Sequence, residues 1–178
     1  MRKVFIAVAV VAALGVSTTV LAAPNGTNRP FKGSISGSTT AACDFDTGIC
    51  DSDSEGTHIS SHLGTGAYVI DSTQTWTDDA VETNGMDCAE FVTGTVTLSA
   101  ANGATLVGNI LNNNEAVCEV SLYEEYASNF EVVVDGAEST GKFAGASGSY
   151  WVTGTSFDPE APSGTYEDSA SMAGTISY

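Results

Sequence analysis

Residues able to do chemistry are few in this chain, and they cluster. Between Cys43 and Gly56 run five carboxylates, Asp44, Asp46, Asp51, Asp53 and Glu55, together with a second cysteine, Cys50. Asp51-x-Asp53-x-Glu55-Gly56 matches the opening of an EF-hand calcium loop, in which alternate oxygens face the ion and glycine permits the sharp turn. Asp51, Asp53 and Glu55 are therefore the metal candidates. The match stops there, because the twelfth position is His62 rather than a bidentate glutamate. His58 and His62 are the only histidines. On a strand they share a face about 13 Å apart, too far to hold one ion without a bulge. Glu119, Glu124 and Glu125, with Glu90 and Glu131 in neighbouring segments, offer carboxylate pairs of the kind that hydrolyse glycosides. In a chain with 22 acidic residues such pairs arise by chance. No nucleophile motif, phosphate loop or nucleotide fingerprint accompanies them, so no catalytic residue is assigned and no cofactor is expected. His62, Tyr68, Tyr150 and Trp151 are the candidates for lining a cavity for a small apolar ligand, with Trp76 and Phe143 beside them. The same rings would also suit a plain core.

Strands must position these residues. From Phe31 onward the apolar runs are short, β-branched and alternating, with glycine and asparagine punctuation and no helical period. Phe31, Gly33, Ile35 and Gly37 share one face. Thr57 to Leu63 and Thr65 to Asp71 follow, hinged at Gly64. The run Val92 to Ser99 puts Val92, Val96 and Leu98 inward and its threonines outward. Asn102-Gly103 turns the chain, and Leu106, Gly108 and Ile110 line the return strand. Val117 to Tyr126, Asn129 to Val134, Gly148 to Thr155 and Ala170 to Tyr178 complete the set. A sheet of eight or nine such strands must close to hide its apolar face and its edges. The expectation is an all-β fold: a single closed eight-stranded antiparallel barrel with hairpin connections over residues 31–178. A flexible leader, 23–30, precedes it, and an acidic disulfide loop spans 43–56. Inward glycines, among them Gly37, Gly94 and Gly108, either bend a filled barrel or leave room in its lumen.

Residues 1–22 have the form of an export signal, with Arg2 and Lys3 before the apolar run Val4 to Val16 and small-residue cleavage sites near Ala22. The run is shorter than the roughly 20 residues of a membrane span, so the protein is expected to be secreted or periplasmic, with no span after cleavage. Four cysteines then read as two disulfides. The hairpin order favours Cys43–Cys50 and Cys88–Cys118 among three possible pairings. Past the signal, three basic residues, Arg29, Lys32 and Lys142, face 22 acidic ones. Such a charge repels phosphate backbones and argues against nucleic acid and anionic lipid as partners.

Four segments also occur in the order expected of a group of bacterial exported proteins. They are Ser61-His62-Leu63-Gly64, Leu98 to Gly108, Thr140 to Gly148, and Gly174-Thr175-Ile176-Ser177-Tyr178. On these the chain resembles the allene oxide cyclase barrel-like proteins, related in shape to the calycins and dirigent proteins. The resemblance implies an eight-stranded antiparallel barrel and, for most members, no known role. The expected role is binding of a small apolar ligand, or a structural or envelope role, without catalysis. The alternative the resemblance suggests is a cofactor-free cyclase or isomerase acting in the lumen. None of the family's catalytic residues can be placed on this sequence.

Overall fold

The computed structural model describes residues 26–44, 46–76, 88–111, 116–121, 125–158 and 164–178. Among the described residues nine strands run in chain order: β1 Asn28–Asp44, β2 Ile49–Ser60, β3 Gly64–Thr75, β4 Cys88–Ala100, β5 Thr105–Ile110, β6 Ala116–Ser121, β7 Glu125–Val134, β8 Ser147–Phe157 and β9 Thr165–Ser177. A single 3-10 turn, Gly141–Phe143, lies between β7 and β8. The order β3-β2-β1-β9-β8-β7-β5-β4 is closed by pairing of β3 with β4. This is the expected closed eight-stranded antiparallel barrel, with β6 as one extra strand.

The place of β6 explains the second disulfide. Both β5 and β6 run antiparallel to β4 and to β7. β5 pairs with the later half of β4, Thr95–Ser99, and β6 with its first residues, Cys88–Glu90. β6 therefore prolongs the line of β5 instead of turning back beside it, as a continuous run from Val117 to Tyr126 would imply. Cys88 and Cys118 stand directly opposite each other, Cα atoms 4.1 Å apart, and are bonded. Cys43 and Cys50 likewise face each other across β1 and β2 at 4.0 Å. Both expected pairings are present, and two disulfides point to an oxidising compartment. Among the described residues no helix is long and apolar enough to cross a membrane.

Three expectations change in detail. Residues 43–56 are a strand hairpin and not a loop, since β1 reaches Asp44 and β2 starts at Ile49. Of the expected leader, 23–30, residues Asn28 to Pro30 pair with Thr175 to Ser177 of β9, and 23–25 lie outside the described residues. Val92 faces outward, 44% exposed, while Phe91 is 4% exposed. The cause is a bulge: Thr93 and Phe91 pair with consecutive residues, Thr73 and Gln74, leaving Val92 unmatched. One extra residue flips the inward set of everything before it. The export signal, 1–22 with cleavage near Ala22, lies outside the described residues.

Hairpin order gives the barrel two unlike ends. Phe31, Leu98, Leu106, Val132, Tyr150 and Ile176, all fully buried, fill the end where β1 begins. Phe143 of the 3-10 turn plugs that end and packs edge-on to Tyr178, ring centroids 4.9 Å apart. Gly37 and Gly56 stand at the border of this filled half. Tyr68 lies across Gly56 and Gly37, and a Cβ on Gly37 would fall 2.6 Å from its hydroxyl oxygen and 2.0 Å from the Glu55 carbonyl. The room left by these two glycines is thus taken by the Tyr68 side chain.

Candidate functional site

Towards the other end, the inward positions of the same strands become small and polar. On β1 they read Ile35, Thr39, Ala41 and Cys43; on β2 Cys50, Ser52 and Ser54; on β3 Ile70, Ser72 and Gln74; on β9 Asp168 and Ala170. Small side chains cannot fill an eight-stranded lumen, and a cavity of about 650 Å³ opens there. Its floor is apolar, made by Ile35, Ile70, Phe91, Phe130 and Val152. Its mouth carries the Cys43–Cys50 disulfide and three aromatic residues, Trp76, Tyr126 and Tyr166. Tyr126 meets Trp76 and Tyr166 edge-on, at centroid distances of 6.1 and 5.4 Å.

One polar group gathers in the wall. Thr39 donates a hydrogen bond to Oδ2 of Asp168, and its hydroxyl also meets that of Ser54. Oδ1 of Asp168 is buried without a hydrogen-bond partner, as is the hydroxyl of Tyr68. Gly37 stands opposite both Gly56 and Asp168, so the ring laid over the two glycines brings its hydroxyl to the Asp168 carboxylate. The two groups are close enough to perturb each other but fall short of hydrogen-bond geometry. Burial first, and the Asp168 charge second, push the Tyr68 phenol well above its ordinary value. Glu119 and Asp44 add carboxylates to the wall and the mouth.

The expected ligand residues are dispersed rather than gathered. Tyr68 lies just beneath the cavity and forms part of the wall group. Tyr150 is wholly buried in the filled end, where burial alone raises its phenol pKa and its hydroxyl has no partner. Trp151, 37% exposed, points outward. Adjacent strand residues face opposite sides, so Tyr150 and Trp151 cannot both line one lumen. His62 sits in the β2–β3 turn at the filled end, with Nε2 2.9 Å from the Pro30 carbonyl and its ring near Phe31 and Tyr178. His58 is inward but in the filled half; its Nε2–H donates to the Ser99 carbonyl at 3.1 Å, and Nδ1 has no partner.

Asp51, Asp53 and Glu55 are exposed on the outer face of β2, alternating with the inward serines. Alternate strand residues stand roughly 7 Å apart, and Asp51 accepts a hydrogen bond from Thr73 at 2.8 Å. Among the described residues no set of three metal-ligating side chains gathers, so the calcium-loop resemblance does not carry into the fold. The cavity residues that sequence patterning overlooked are Thr39, Asp168, Tyr126 and Tyr166. Extending the alternation of β9 backwards from Ala170 would have found two of them, since Tyr166, Asp168, Ala170 and Met172 share one face. Comparison with protein-family models, with curated proteins and with solved structures finds no match to this chain.

Proposed function

We propose that this is an exported barrel, built like the allene oxide cyclase-like proteins, that holds one small, largely apolar ligand in its open end without transforming it. The observation that carries this reading is the cavity itself. Its 650 Å³ falls within the range of about 300–1,000 Å³ usual for small-molecule sites, and so does its mixture of apolar floor and few polar groups. The aromatic mouth suits a ligand with an apolar body. The neutral dye N-phenyl-1-naphthylamine should bind and brighten in the wild-type protein. Ser72→Trp, which fills the wall, should abolish the signal, and Trp151→Ala, on the outer face, should leave it intact. A dye signal unaffected by Ser72→Trp in a folded variant would overturn the reading.

A cofactor-free cyclase or isomerase is the second reading, favoured by the convergence of Ser54, Thr39, Asp168 and Tyr68 at one point of the wall. Under that reading Asp168→Asn would remove turnover of an added substrate and keep dye binding.

A further inference from the structure

The barrel gathers its basic residues at one end. Of the five lysines and arginines in the chain, Arg2 and Lys3 precede residue 26, and no other lies outside Arg29, Lys32 and Lys142. All three are at the filled end. Arg29 stands 4.9 Å over the Tyr178 ring, Lys142 lies 5.0 Å from the centre of the Phe143 ring and donates to the His62 carbonyl at 2.7 Å, and Lys32 pairs with Ala173. The cavity at the opposite end has three carboxylates in its lining, Asp44, Glu119 and Asp168, and no cation.

We infer that the ligand carries a positive charge: a protonated amine on an apolar body, its head against Asp168. This rests on the reading of the cavity as a ligand site. A recess with low-dielectric walls focuses the field of its own charges, so this one attracts cations. An anionic ligand, a fatty carboxylate included, would lose its hydration there and meet only like charge. Asp168 is suited to receive a donor. Only one of its oxygens is engaged, by Thr39, whereas a carboxylate has about four acceptor sites. Tyr68, 1% exposed, lies beneath the cavity with its hydroxyl facing the same carboxylate and holds it in place from behind. The Ser54 hydroxyl meets Thr39 beside the carboxylate, and serines of β2, β3 and β7 elsewhere in the lining can accept the remaining ammonium hydrogens. The rings of Trp76, Tyr126 and Tyr166 at the mouth offer the π-faces that bind ammonium groups.

The test uses three probes with one body and different heads, octylammonium, octan-1-ol and octanoate, each displacing N-phenyl-1-naphthylamine at neutral pH in 0.15 M salt. At that ionic strength charges farther than about 8 Å are screened, so a preference that survives is local. Octylammonium should bind about tenfold or more tightly than octanol, the effect of one charge-assisted hydrogen bond, and octanoate weakest. Asp168→Asn should bring octylammonium level with octanol. Glu119→Gln, farther up the wall, should reduce the preference by less. Octanoate binding as well as octylammonium, a preference lost in 0.15 M salt, or one intact in both variants would each overturn the inference. If neither the dye nor octanol binds, the cavity reading itself fails; if both bind without favouring the ammonium, only the charge inference does.

Discussion

At the scale of single residues, the barrel buries one histidine, a side chain whose ordinary pKa lies near neutrality. His58 is 1% exposed, and burial lowers its pKa below the ordinary 6.5, partly offset by the bond to the Ser99 carbonyl. The folded state therefore prefers the neutral ring. Below about pH 6.5 the unfolded chain binds a proton that the folded chain resists, so stability falls as pH drops through that value; above it, the contribution is complete. Thermal midpoints measured from pH 7.5 to 5.5 should fall for the wild type, and less steeply for His58→Gln, which keeps a donor for Ser99 without the charge. This window lies above the ordinary carboxylate range, which keeps the acidic residues from dominating the slope. Equal slopes in the two proteins would show that the ring takes up its proton without cost.

At the scale of elements, the two disulfides do different work. Cys88–Cys118 spans 30 residues and fastens β6, which continues the line of β5, to the start of β4. Cys43–Cys50 spans seven, closing a hairpin already held by twelve register pairs, and lies in the cavity lining. Loop entropy alone assigns about 3–4 kcal/mol to the longer closure and about 2–3 kcal/mol to the shorter. Calorimetry should show the larger loss of stability for Cys88→Ala/Cys118→Ala. Dye affinity should drop more for Cys43→Ala/Cys50→Ala, and the reverse order of dye effects would place the ligand elsewhere. Both pairings were legible from hairpin order, as was the barrel, because alternation and turn residues are local signals. The cavity was not legible, since its existence depends on which small inward residues share one level. Thr39, Ser54, Ser72 and Asp168 are distant in sequence, and nothing in their own segments says that they meet. The Val92 bulge shows the same limit, for it depends on an irregularity against β3 that the even pattern of β4 does not record.

At the scale of the whole molecule, a formal charge of −17 makes the folded state work against its own repulsion. The outer face of β2 shows this directly: Asp53 stands opposite Asp71, with Asp51 and Glu55 exposed on either side along the strand. Like charges opposed across strands destabilise, and screening relieves them. The melting temperature should therefore rise between 10 mM and 500 mM sodium chloride. It should rise whichever cation is supplied, because the outer carboxylates form an exposed row and not a coordination shell. Calcium and magnesium at equal concentration separate the two explanations. A shell built for calcium uses six to eight oxygens at 2.3–2.6 Å and discriminates strongly against the smaller ion, whereas a diffuse field responds to valence alone. Equal increments in melting temperature for the two ions are the expected result. A rise specific to millimolar calcium would mean that the strand face can gather its carboxylates around an ion after all.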